Sequence, residues 1–224
     1  MTRLSIVMPG LDEAAGSTAT LQALAPLRAR GHELIVVDGG SRDGTAALAA
    51  AAADRVLGSP PGRARQMNAG AAHARGDVLV FLHADTTLPA DADTLLGQAV
   101  RGGARWGRFD VRITGDAAML RVIAACMNLR SRLSGIATGD QAIFVERRLF
   151  EALGGYAEQP LMEDIELSRR LRAVAAPACL RAQVQTSGRR WQQRGVWRTV
   201  WLMWQLRWRY WRGDSPEALA HRYR

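Results

Sequence analysis

At 224 residues the chain is long enough for one α/β domain with a C-terminal extension, since domains usually run to about 100–200 residues. Hydrophobic residues make up 48% and charged residues 23%, which excludes the disordered and fibrous classes. The net charge of +9 excludes a nucleic-acid footprint over the main body: residues 1–180 carry 20 Arg against 19 acids, residues 181–224 carry 10 Arg against only Asp214 and Glu217, and there is no Lys.

Short β-branched runs alternate with Ala/Leu-rich helical stretches in the first half, which predicts a mostly parallel sheet flanked by helices. A first strand is expected over 4–8, then a helix over 17–30 with Ser17 as N-cap and Gly31 as its stop. Strands over 33–37, 55–57 and 77–82 follow, separated by helices over 45–53 and 64–74. Beyond them lie a helix over 91–102, a strand over 108–113, an amphipathic helix over 118–133, a strand over 141–145 and a helix over 163–173. The division expected is an α/β domain over 1–190 and a basic, Trp-rich helical tail over 191–224.

In open parallel sheets ligands bind beyond the carboxyl ends of the strands, so the polar loops there carry the first functional signal. Three are rich: PGLDEA after the first strand, DGGSRDGT after the second and HADTT after the fourth. One such Asp is ordinarily a turn former or helix cap, but several at equivalent strand ends point to a ligand. Glycines in DGGSRDGT allow close backbone approach, and a strand-end carboxylate accepts hydrogen bonds from a base edge. The first strand is followed by one glycine, Gly10, so no dinucleotide fingerprint is present, and Gly40 at the third loop position excludes an EF-hand. Cys126 and Cys179 have no CxxC spacing or His partner, which supports neither a zinc site nor a disulfide framework.

The segments LSIVMPGLDEA, ELIVVDGGSRDGT, GRARQMNAGAAHARGDVLVFLHADTTL and MEDIELSRRL, in this order and spacing, resemble the family 2 glycosyltransferases. GRARQMN, FLHADT, GDQ and TSGRRW are similar to short bacterial members. The resemblance implies a GT-A, Rossmann-like fold and sugar transfer from a UDP- or GDP-sugar to a hydroxyl or carboxyl acceptor, with inversion and with Mg or Mn as cofactor. It also implies roles for single residues. Pro9 and Glu13 line the nucleotide pocket, Asp38 meets the base, and Arg63 holds base or diphosphate. Asp85 matches the second acid of the family's DxD motif and holds the cation; one carboxylate suffices when the donor phosphates supply further oxygens. His83 stands where the first acid usually lies and is a second candidate metal ligand or a structural hydrogen-bonder. Glu163 and Asp164 match the ED pair, with Asp164 as the base that takes the acceptor proton, and their acids also suit a helix start. Gly139, Asp140 and Gln141 match the GDQ segment near the acceptor. Arg190 and Trp191 match the end of a QxxRW motif, Arg190 toward the diphosphate and Trp191 toward the acceptor, while Ser187 replaces the Gln of processive relatives.

Other readings stand beside this one. A nucleotidyltransferase would carry a basic, Gly-rich loop after the first strand, and PGLDEAAGS has neither Arg nor Lys. A phosphatase of the haloacid-dehalogenase type needs an Asp nucleophile where His83 lies. A non-catalytic, membrane-associated nucleotide-binding adaptor is compatible with the altered DxD.

In the tail, Trp197, Trp201, Trp204, Trp208 and Trp211 share one narrow helical face, with Arg194, Arg198, Arg209 and Arg212 beside them. This stripe suits either the headgroup region of an anionic membrane, and with it a lipid-like acceptor, or packing on the domain or on a second subunit. No segment reaches the roughly 18 apolar residues of a membrane span, and the N-terminus has no signal-peptide pattern. The expected location is cytoplasmic, with peripheral attachment to the inner face of the membrane as the alternative.

Overall fold

Strands β1 (Leu4–Gly10), β2 (Glu33–Asp38), β3 (Arg55–Gly58) and β4 (Val78–Phe81) pair in parallel in the order β3-β2-β1-β4. The computed structural model describes residues 2–223, apart from the side chain of Arg190. Strand side chains alternate between faces, so a continuous apolar run means burial on both. Leu4, Ile6 and Met8 of β1 join one core layer with Leu34, Val36 and Val80, while Val7 joins the other with Ile35, Val37, Leu79 and Phe81.

Helices α1 (Ala14–Ala29), α2 (Thr45–Ala52) and α3 (Arg63–Ala72) connect these strands. A Cβ on Gly70 of α3 would overlap the Val7 side chain, so the missing side chain lets α3 lie directly on β1. That approach sets Arg63 at the start of α3 over the carboxyl edge of the sheet.

The second half contributes β5 (Thr86–Thr87), α4 (Ala92–Arg101), β6 (Trp106–Thr114), α5 (Ala118–Ser134), β7 (Phe144–Glu146), α6 (Arg147–Ala152), α7 (Glu163–Val174) and β8 (Ala178–Ser187). Among the described residues, eight strands form one sheet, β3-β2-β1-β4-β7-β6-β8-β5. β7 runs against both neighbours, so the residues preceding it reach the edge at which β1, β2 and β4 end.

Several elements differ from the sequence reading: the strand expected over 141–145 is confined to Phe144–Glu146 because Gln141 closes a 3-10 turn, and the short β5 and α6 had no separate signal. Helix α1 begins at Ala14, not at Ser17, and Ser17 is buried within it. The reason is tertiary: Thr45 Oγ1 accepts the Glu13 N–H at 2.9 Å and the Asp43 carboxylate accepts the Ala14 N–H at 2.8 Å, so the loop before α2 satisfies the start of α1. Strand β8 was not expected; Arg181, Gln183 and Gln185 are exposed along it, and its apolar alternation is too weak to stand out without its partner β6.

The tail forms α8 (Arg189–Arg194), α9 (Val196–Arg212) and α10 (Pro216–Tyr223). The inner face of α9 is held: Val196 and Val200 pack against the core, and Leu206 packs with Leu219, Leu161 and Met162. Full burial of Leu206 and Leu219 contributes about 1.5–3 kcal/mol each. The tryptophan stripe is not this docking face, because its five indoles lie outward with exposures from 54% to 82%.

Candidate active site

The loops after β1, β2 and β4 meet at one edge because parallel neighbours end together. Gly10 pairs in register with Asp38, and Gln66 Nε2 of α3 donates to the carbonyls of Gly10 and Val37, both at 2.8 Å, fixing the spacing of the two strand ends. Pro9 is buried one residue before. The Asp38 carboxylate accepts the N–H groups of Gly40 and Ser41 at 3.0 Å and is bonded by the Ser41 hydroxyl, which shapes the glycine-rich turn.

Asp85, beyond β4, lines a cavity of about 280 Å³ with Gly16, Thr20, Thr114, Thr186 and Arg189. The Arg189 guanidinium reaches the Glu13 carboxylate at 3.3 Å, which joins the tail to the first loop. The Asp85 carboxylate accepts a long contact, 3.4 Å, from the Thr86 hydroxyl. Among the described residues no group of three or more His, Cys, Asp and Glu converges as a metal cage. The donor set at Asp85 therefore fits a cation held by one carboxylate together with donor phosphates and water, and not an all-protein site.

A second group lies where β4, the turn before β7 and the start of α7 meet. Gly139–Gln141 is a single 3-10 turn, closed by Gln141 Oε1 accepting the Thr138 N–H at 3.2 Å and held to α5 by Gln141 Nε2 donating to Asn128 Oδ1 at 3.3 Å. The His83 ring stacks so closely on this turn that a Cβ on Gly139 would overlap it, and His83 Nδ1 lies 3.3 Å from the Asp140 carboxylate. The Asp164 carboxylate accepts the Gly139 N–H at 2.9 Å and the Ile165 N–H at 2.7 Å. Both bonds fix its rotamer.

Asp164 is half-buried, and enclosure by the protein pushes its carboxyl above the usual range. The two N–H bonds and His83 oppose that rise, while Asp140 adds to it. Burial also raises the Glu163 carboxyl, Asp164 raises it further, and Arg63 opposes both. Arg63, His83, Asp140, Glu163 and Asp164 thus form one electrostatic group. Among the described residues, the non-glycine residues at positive φ are Asp12, Ala142 and Met162. Each directly adjoins a candidate, namely Glu13, Gln141 and Glu163, and such conformations cost on the order of 1–3 kcal/mol. Local strain is concentrated where these side chains are aimed.

The Trp191 side chain is half-buried against the core, and the Arg190 side chain lies outside the described residues. Gln66 and Arg189, which organise the strand ends and the Asp85 cavity, were not singled out from the sequence. Gln66 stands inside GRARQMN and Arg189 inside SGRRW, but their partners Gly10 and Glu13 lie 56 and 176 residues away.

The parallel half-sheet, the reversed β7 and the acidic loops gathered at one edge define the GT-A glycosyltransferase fold. Residues 5–138 match the family model described as Glycosyl transferase family 2, and the chain belongs to that family. No curated protein sequence matches it. Among solved structures, S. aureus TarS 1–349 in complex with UDP superposes with a TM-score of 0.67 at 14% identity, covering 83% of this chain and 60% of that one. The mannosyltransferase PcManGT from Pyrobaculum calidifontis, in complex with GDP-Man and Mn2+, gives a TM-score of 0.67 at 19% identity over 99% of this chain and 69% of its own. Mannosyl-3-phosphoglycerate synthase from Rubrobacter xylanophilus gives 0.58 at 23% identity over 83% and 65%. The chain spans 60% of the length of the TarS fragment, and at these identities the likeness is one of fold.

Proposed function

We propose that the chain transfers a sugar, with inversion, from a nucleotide-diphosphate sugar to an acceptor hydroxyl. The observation that carries this reading is Asp164: a carboxylate of raised proton affinity, oriented by two N–H groups, beside a second acid at the sheet edge where nucleotides bind in this fold class. Asp164 takes the proton from the acceptor hydroxyl as its oxygen bonds to the anomeric carbon. The bond from that carbon to the phosphate oxygen breaks, and its electron pair leaves with the diphosphate. Asp38 faces the base, Pro9 and Glu13 border it, Arg63 supports the diphosphate, and Asp140 and Gln141 border the acceptor. Asp85 would hold Mg or Mn, which when bound neutralises charge on the departing diphosphate. UDP, UDP-GlcNAc, and GDP-Man with Mn2+ in the similar structures support a nucleotide-sugar donor and a divalent cation.

The same reading places the enzyme at an anionic membrane surface through the outward face of α9. Among the described residues no helix is long and apolar enough to cross a membrane. Five exposed indoles with exposed Arg194, Arg198 and Arg212 combine interfacial aromatic rings with positive charge. Thermal stabilisation by UDP or GDP, with and without Mn2+, tests the donor reading. A cation-dependent rise in melting temperature is expected, and no shift under any condition contradicts it.

A further inference from the structure

Two side chains one turn apart on α7 hold the segment that leads into the 3-10 turn before β7. The Asp164 carboxylate accepts the Gly139 N–H at 2.9 Å, while the Ser168 hydroxyl accepts the Ala137 N–H at 3.2 Å and donates to the Ala137 carbonyl at 3.3 Å. The spacings agree. Residues four apart on a helix share a face and lie about 6 Å apart along its axis. Thr138 is extended, with φ −124° and ψ 157°, which sets Ala137 and Gly139 about 6.6 Å apart. The segment therefore runs along α7 and is attached at two points.

Ser168 is fully buried on a stretch of α7 where Leu167 and Leu171 are fully buried too. A hydroxyl in such a place costs free energy unless it is bonded, and its partners are both backbone groups of Ala137, a buried residue outside any helix or strand. The two oxygens of Asp164 are held differently. Oδ1 accepts the N–H of its own neighbour Ile165 at 2.7 Å, a bond that travels with the helix, whereas the bond from Gly139 to Oδ2 crosses to the turn at the sheet edge. One crossing bond is a hinge about which α7 can pivot; a second attachment four residues on removes that freedom. Gln141 anchors the other side of the turn, through Asn128, to α5 and not to α7.

We propose that Ser168 is a positioning residue for sugar transfer: its clamp on Ala137 brings the Gly139 N–H onto the Asp164 carboxylate and so sets the direction in which the base meets the acceptor hydroxyl. The assignment deepens the glycosyltransferase reading and rests on it for the role of Asp164.

The probe is the Gly139 amide of the isotopically labelled full chain, followed by NMR and identified by its loss in Gly139→Ala. An N–H bonded to a carboxylate moves downfield as the carboxyl ionises, so this resonance should titrate with pH in the parent and not in Asp164→Asn. In Ser168→Ala the amplitude of that titration should fall at least about twofold, and its midpoint should rise, because the weakened Gly139 bond favours the ionised form. The charged and titratable groups around Asp164 are Glu163 beside it, Asp140 on the turn, His83 beyond β4, Arg130 on α5 and Tyr156 in the loop before α7, and Ser168→Ala replaces none of them. A Ser168→Ala protein that melts lower than the parent but keeps both amplitude and midpoint marks a merely structural hydroxyl and overturns the assignment. If Ser168→Ala does not fold, hydrogen exchange in the parent decides: a two-point attachment opens as one unit, so the Ala137 and Gly139 amides should be protected to within about tenfold of each other, and a larger difference overturns the clamp. Unchanged turnover in Asp164→Asn removes the reading beneath the assignment, whereas an inactive Asp164→Asn beside an unmoved Gly139 titration in Ser168→Ala removes the assignment alone.

Discussion

The Gly139 N–H donates to the Asp164 carboxylate at 2.9 Å, across 25 residues of sequence, and so ties the turn before β7 to the start of α7. This bond makes one unit of two short motifs. Charge at Asp164 is stabilised by backbone N–H groups that cannot move away, while enclosure keeps its proton affinity high. Orientation and basicity are therefore set by different parts of the structure.

Asp164→Asn separates chemistry from donor binding. The amide keeps the shape and can accept the Gly139 N–H, but it cannot take a proton from the acceptor. Transfer should fall by about a hundredfold or more, the usual range for a lost general base. UDP or GDP affinity, measured by calorimetry, should stay within about twofold, since the proposed role of the altered group lies with the acceptor. Unchanged turnover would remove Asp164 from this role.

The pH dependence follows from the same carboxyl. A base works only when ionised, and the folded-state pKa of Asp164 lies above the ordinary value of about 3.9. The acid limb of kcat/KM should therefore fall at a higher pH than an ordinary aspartate gives. The stability sign is opposite: a carboxyl whose pKa is raised on folding favours the folded state below its unfolded pKa, and this contribution is lost as pH rises through the folded one. Above that range the ionised Asp164 is a cost, so Asp164→Asn should melt no lower than the parent at neutral pH in a calorimetric scan.

Gly139→Ala tests the geometry without replacing any ionisable group. The new methyl would overlap the His83 ring, so either the ring or the 3-10 turn must shift, and the Gly139–Asp164 bond shifts with the turn. Transfer should drop by at least tenfold, because catalytic positioning tolerates little displacement. A double variant Gly139→Ala with His83→Ala relieves the overlap and should recover part of the loss, measured as initial rates.

Much of this arrangement was legible in the sequence. The buried strands β1, β2 and β4 show as apolar runs, interrupted in β1 by Ser5, and the acids at their ends stand in loops whose place the strand pattern fixes. Glu163 and Asp164 are visible as an acidic start to a polar-faced helix. What did not show was pairing over distance. The start of α1 is capped by Thr45 and Asp43 from another loop, the Asp85 cavity is completed by Arg189 from the far end of the chain, and β8 becomes a strand through its long pairing with β6. Residue type and spacing carry information over a turn or two of helix, whereas these contacts exist only once the sheet has assembled.

Asp85→Ala addresses the proposed donor side. With one carboxylate and, among the described residues, no cage of protein ligands, a cation should have little affinity for the free chain, and its binding should appear chiefly in the presence of the nucleotide diphosphate. Titrations of UDP and GDP with Mn2+ should lose their cation-dependent gain in affinity in Asp85→Ala, while the cation-free affinity changes little. Equal gains in both proteins would contradict the assignment.

The outward face of α9 yields the last test, and the packing of its inner face decides which variant is informative. Deleting the helix would uncover Leu161 and Met162, so a truncated chain confounds loss of docking with loss of fold. Replacing Trp201, Trp204 and Trp208 together with Gln removes three exposed rings and leaves Leu206 and Leu219 in place; the melting temperature should change little. Co-sedimentation with vesicles containing phosphatidylglycerol should then fall at least tenfold, and raising the salt should weaken the parent's binding, because Arg194, Arg198 and Arg212 contribute through charge. If the parent does not sediment but forms a dimer that the triple variant loses, the stripe is a subunit interface; five indoles cannot serve a membrane surface while they are buried between two copies.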